Sequence, residues 1–178
     1  EAGGVGSDWT AVLADVAART GPGAGGLTFI PHMTGPRSEW HGPRASGAFV
    51  GLRAWHTKFD MVRAVLEGCA YSIRECVERR MPWGVDEFRA VGSGARHDAW
   101  LQIKADVLRR PVVRMAIQEG ALAGAVLLAG MASGVFGGAR EGVEAVVRAG
   151  RRFEPAEASD AYEAGYRAFC EAERELGR

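Results

Sequence analysis

The chain has 178 residues, 47% of them hydrophobic and 25% charged, within the range of one ordinary soluble domain with a real core and outside that of disordered chains. Lysine plus arginine equals aspartate plus glutamate at 22 each, so net charge gives no footprint for nucleic acid or an anionic membrane. The longest apolar stretch, around Ala121 to Ala129, is far shorter than the roughly 20 residues that a membrane-spanning helix needs.

In chain order, Val5, Trp9, Val12, Leu13 and Val16 recur at helical spacing and predict a short amphipathic helix stopped at Gly21 to Gly23. Leu27 to Ile30 and Ala48 to Leu52 read as strands joined by a long exposed loop. From His56 to Arg80 the spacing predicts a long helix. Its buried stripe is Val62, Val65, Leu66, Cys69, Ile73, Cys76 and Val77, with Arg63, Glu67, Arg74 and Glu78 on other faces.

Phe88 to Val91 reads as a strand, Gly92 to Gly94 as a turn, Asp98 to Leu108 as a helix and Pro111 to Met115 as a further strand. Gln118 to Ala132 is apolar on nearly every face, which predicts a helix packed on several sides. Ala139 to Ala149 and Ala158 to Leu176 read as outer helices. Strands alternating with helices, without repeat or linker, point to a single α/β domain over residues 1–178.

Among the motifs, Gly21 to Gly26 (GPGAGG) has the letters of a dinucleotide fingerprint, but the helix precedes it and the strand follows, the reverse of the required order. It reads as a plain loop. Gly92, Ser93 and Gly94 are better placed, after a strand and before a helix, where unpaired backbone N–H groups and missing side chains let a ligand approach. A structural turn explains them equally well.

The four histidines show no metal-site spacing, and only His97, just beyond the glycine turn, gains interest. Ser46 and Ser93 lack the surroundings of a nucleophile. The five tryptophans are scattered among elements, which favours core and edge packing over base stacking, with Trp40 in the long loop as the one surface candidate. Arg63 with Glu67 and Arg74 with Glu78 are i, i+4 pairs of little energetic weight. Three cysteines, none at metal or Cys-x-x-Cys spacing, fit a reducing, cytoplasmic setting. The chain opens Glu1-Ala2 without Met, and a fragment is expected.

Gly47 to Leu52 (GAFVGL), followed by Asp60-Met61 and Ala64 to Glu67 (AVLE), resembles the second signature of the FGGY carbohydrate kinases. Leu27 to Arg37 (LTFIPHMTGPR) is similar to the family's strand running into a Ser/Thr-Gly-Glu-Arg loop, with Pro36 where Glu is usual. Val91 to Asp98 resembles its adenosine-binding Gly-Gly-Gly-Ala-Arg-Ser turn, Ala105 to Leu108 the helix after it, and Glu119 to Ala129 its Glu-Gly-Ala-x-x-Gly-Ala helix. Arg152 to Pro155 (RFEP) extends the likeness to nearly the whole chain.

The resemblance implies an actin-like ATPase domain, ribonuclease H-like, with a mixed sheet flanked by helices. It also implies that this chain is the C-terminal, nucleotide-side half of a two-domain kinase, xylulose kinase-like, which phosphorylates a pentulose such as D-xylulose. Gly92, Ser93, Gly94 and Ala95 would then pass along adenine and ribose, with His97 reaching the base and Ser93 in place of the middle glycine. Gly4 and Asp8, ahead of Trp9, would meet the nucleotide from the opposite side. ATP and Mg²⁺ are the implied cofactors, the metal held mainly through the phosphates and the absent N-terminal domain.

That domain would also bind the sugar and carry the catalytic carboxylate, so no catalytic residue is assigned and this half alone is expected to be inactive. An exposed apolar face is expected where the partner domain, or a second subunit in a homodimer, docks. Two alternatives stand beside this reading: a lone actin-like module that binds nucleotide or a partner without chemistry, and a glycerol, gluconate, ribulose or fuculose kinase of the same family.

Overall fold

The long helix Lys58–Arg80 (α2) organises the fold, and the cap before it explains where it begins. Thr57 adopts an extended conformation and accepts hydrogen bonds from the Phe59 and Asp60 amides, while the Asp60 carboxylate accepts from the Thr57 amide at 2.7 Å, a complete capping box. Asp60 is held below the usual carboxylate range chiefly by the Thr57 N–H. The computed structural model describes residues 9–35, 45–156 and 160–176. The remaining elements are α1 (Trp9–Arg19), β1 (Thr28–Ile30), β2 (Ala48–Val50), β3 (Phe88–Ala90), α3 (Asp98–Leu108), β4 (Val112–Met115), α4 (Gly120–Ala132), α5 (Ala139–Val146), β5 (Ala149–Phe153) and α6 (Asp160–Leu176).

β1 and β2 pair antiparallel with Phe29 opposite Phe49, their rings 4.9 Å apart. The second sheet has the order β3-β4-β5: β3 runs parallel to β4 and β5 antiparallel to it, with an irregularity between Val113 and Met115. This mixed sheet lies on one side of α3, which buries Leu101 and Ala105 against Ala95, Val112 and Phe153. The other side of α3, through Ile103 and Val107, joins a larger core built from Leu13 and Val16 of α1, Ile30 of β1, Leu66, Ala70 and Tyr71 of α2, and Tyr162, Tyr166 and Phe169 of α6. An α/β domain with helices on a mixed sheet is therefore the architecture.

Five expectations need correction. The buried face of α2 is rotated from the aliphatic stripe: Arg63, Ala64, Glu67, Ala70, Tyr71 and Glu75 are inside, while Ile73 and Cys76 are exposed. Charged side chains can sit there because each has a partner. Arg63 donates to Glu67 Oε1 at 2.7 Å and to the Tyr162 hydroxyl at 2.7 Å, and Glu67 accepts the Gly23 amide at 3.0 Å. Ala149 to Phe153, read in part as the end of a helix, is instead strand β5, because its backbone completes the ladder of β4.

α6 is no outer helix, since Tyr162, Tyr166 and Phe169 fill the main core. α4, expected to be packed on several sides, has no buried residue, and Leu122 and Leu128 are 63% and 67% exposed. Among the tryptophans, Trp9, Trp55 and Trp83 are exposed rather than packed inside. Trp40 lies outside the described residues.

Candidate functional site

β3 ends at Ala90, and the chain must turn sharply before α3 starts at Asp98. Gly92 makes that turn at φ +83°, ψ 179°, a conformation closed to most L-residues, and its amide donates to the Gln118 carbonyl at 2.7 Å. Ser93–Arg96 then form one 3-10 turn, tied by the Ala95 amide to the Gly92 carbonyl at 3.0 Å.

Facing this turn is a cleft of about 430 Å³. Ser93 and Gly94 come to it from the turn, His97 and Trp100 from the start of α3, Trp9 and Leu13 from α1, and Val65, Leu66 and Cys69 from α2. Its walls are mainly apolar and aromatic, and no carboxylate of the described residues lines it. Two polar atoms stand out: Nδ1 of His97 and Nε1 of Trp100 are buried and meet no hydrogen-bond partner among the described residues. An apolar slot with a few unsatisfied polar groups is the usual form of a small-ligand site.

One cation stands against a wall of the cleft. The Lys104 ammonium sits 4.1 Å from the centre of the Trp100 ring, and burial pushes its pKa below the ordinary lysine value. At the start of α3, Asp98 pairs with Arg114 and Arg151, and the Arg114 hydrogen bond leads in holding its carboxyl below the usual range. A second cavity of about 260 Å³ lies at the far end of α2. Its Arg74 is already engaged by Glu78 and Glu163, and none of the expected residues reaches it.

Of the residues singled out from sequence, Ser93, Gly94 and His97 come together in the cleft. Gly92 stands next to them, and a Cβ placed on it would meet nothing within 4 Å, so the space beside it is open. Ala95 does not join them. Its methyl is buried in the smaller core, its amide is used by Gly92, and its carbonyl accepts from Arg114 Nε at 2.7 Å.

Gly94 differs from expectation in another way: a Cβ there would come within 2.7 Å of the Trp100 ring, so its bareness seats an indole. Gly4 and Asp8 lie outside the described residues. The apolar walls escaped the sequence reading. Val65, Leu66 and Cys69 read as core, and the one available signal was that Trp100 follows His97 by three, on the same face of a helix.

The fold with this cleft defines a class, the actin-like ATPase domains. Residues 4–133 match the FGGY family of carbohydrate kinases, C-terminal domain, and the chain belongs to that family. It is similar to a xylulose kinase of Staphylococcus epidermidis, 34% identical over 160 residues, which cover 88% of this chain and 32% of that protein. A gluconokinase of Bacillus licheniformis is 37% identical over 130 residues, 69% of this chain and 25% of that one. The crystal structure of xylulose kinase from Rhodospirillum rubrum superposes with a TM-score of 0.80 at 34% identity, covering 97% of this chain and 35% of its own. The chain thus spans about a third of the length of the xylulose kinases it matches.

Proposed function

We propose that residues 1–178 form one domain, the nucleotide-side half of an ATP-dependent carbohydrate kinase whose acceptor is a pentulose such as D-xylulose. The observation that carries this reading is the aromatic cleft beside the glycine turn, with its two buried ring nitrogens. These residues fit an adenosine. The slot between Trp9, Leu13 and Trp100 suits a flat base, His97 and Trp100 offer polar atoms at its edge, and the open side of Gly92 leaves room for a ribose.

ATP, when bound, supplies the phosphoryl group, and Mg²⁺ neutralises its charge in transfer. In this reading the ion is held mainly through the phosphates and the sugar-side domain. That domain supplies the sugar contacts and the carboxylate that takes the hydroxyl proton. The chain alone binds nucleotide without transferring phosphate. None of its three cysteines is in a disulfide, and the setting proposed is the reducing one of the cytoplasm. No helix among the described residues is long and apolar enough to cross a membrane.

The test is an ADP titration of the chain by calorimetry beside the variant Ser93→Trp, which places a bulky side chain at the mouth of the cleft. The expected result is saturable binding that the variant weakens by about tenfold or more, equivalent to about 1.4 kcal/mol. Equal binding by both would move the nucleotide elsewhere, and silence from the unmodified chain would remove this cleft as its site. The gluconokinase match, at 37% identity, also favours testing gluconate beside D-xylulose once a sugar-side domain is supplied.

A further inference from the structure

Resting on the reading of this cleft as a nucleotide site, we infer that Trp100, rather than the backbone of Gly94, is the surface the base meets, and that it sets the size of base the cleft accepts. Three observations lead there. The indole occupies the place over Gly94 that a glycine turn would otherwise leave to a ligand: an added Cβ would stand 2.7 Å from Cζ3, 3.2 Å from Cε3 and 3.3 Å from Cη2 of the ring. The same ring lines the cleft and carries a buried Nε1 without a partner among the described residues. Lys104, one helical turn on, holds its ammonium 4.1 Å from the ring centre.

The indole therefore packs on both the turn and the Lys104 ammonium, and a ring held at two places makes a firm wall. A ligand entering past Trp9 and Leu13 from α1 and Cys69 from α2 meets that wall on the α3 side. Gly94 then acts through Trp100, as a positioning residue, because any side chain at 94 must displace the ring.

A double-mutant cycle separates this from direct contact between Gly94 and the nucleotide. ADP and N6-benzyl-ADP are titrated by calorimetry into the unmodified chain, Gly94→Ala, Trp100→Ala, the double variant and Trp100→Phe, each first shown to melt cooperatively. The inference expects Gly94→Ala to weaken ADP by about tenfold in the Trp100 background and to be nearly silent in the Trp100→Ala background. It also expects Trp100→Ala to improve N6-benzyl-ADP relative to ADP by about tenfold or more, the scale on which pocket volume discriminates.

Trp100→Phe, which keeps an aromatic wall, stays close to the unmodified chain for ADP and checks the result should Trp100→Ala fail to fold. An equal effect of Gly94→Ala in both backgrounds, or an unchanged ratio of the two nucleotides across the Trp100 variants, overturns the inference while the nucleotide site stands. No ADP binding by the unmodified chain overturns both.

Discussion

Glu173 of α6 lies inside the protein with its Oε1 2.6 Å from Nε2 of His32, both side chains under 5% exposed. Burial, reinforced by the neighbouring Glu75 carboxylate and only partly countered by Arg79, pushes Glu173 from its ordinary 4.5 up to about 8. The direction fixes the sign of its linkage. Below pH 4.5 folded and unfolded chains both hold the proton. Between 4.5 and 8 the unfolded chain gives it up first, so the stability this group contributes declines as pH rises and is lost above 8.

Glu173→Gln keeps the shape and a hydrogen-bonding group but abolishes the titration. Urea unfolding at pH 5, 6.5 and 8 should show the unmodified chain losing stability relative to the variant across the series, and parallel pH profiles would refute the assignment. The Arg63–Glu67 pair shows why such residues escape a sequence reading. Spacing gives the i, i+4 pair correctly, but its burial depends on the Gly23 amide and the Tyr162 hydroxyl, 44 and 99 residues away.

At the scale of elements, α3 is read with its observed bounds, because a glycine turn marks its start and Pro111, which cannot continue a helix, stands just beyond its end. β5 is illegible for the opposite reason. Four of its five residues are exposed, Arg151 and Arg152 among them, so no apolar alternation announces a strand that exists only through its pairing with β4. The face of α2 was misjudged because aliphatic residues outnumber the small ones that let it approach β1. Gly68 is where that approach is tightest: a Cβ there would stand 2.1 Å from the Phe29 carbonyl oxygen, a backbone atom with no room to swing aside.

In a free helix, Gly→Ala is worth about 1 kcal/mol of propensity. Against a fixed carbonyl the overpacking term of about 1–3 kcal/mol decides the sign. Gly68→Ala should therefore lower the unfolding free energy and the melting temperature, read by urea and thermal denaturation. A gain in stability would mean that α2 and β1 have more freedom to separate than their contact implies.

The candidate site was legible as a whole-molecule feature only in its turn, because the cleft is assembled from α1, α2 and α3, whose apolar side chains carry no local mark of ligand contact. The same scale explains α4. A helix apolar on every side is built to be covered, and here its main neighbour among the described residues is α5, where Leu127 lies against Gly142, while Leu122, Val126 and Leu128 are exposed. This is an exposed apolar face.

Because those leucines are mostly exposed, Leu122→Lys with Leu128→Lys should leave the unfolding free energy within about 0.5 kcal/mol. The same change should lower both concentration-dependent association in sedimentation velocity and the binding of an apolar fluorescent dye, since the patch drives them. A large loss of stability would instead mean that α4 packs internally. Unchanged association with intact stability would mean that the chain associates through another surface, leaving α4 without a partner.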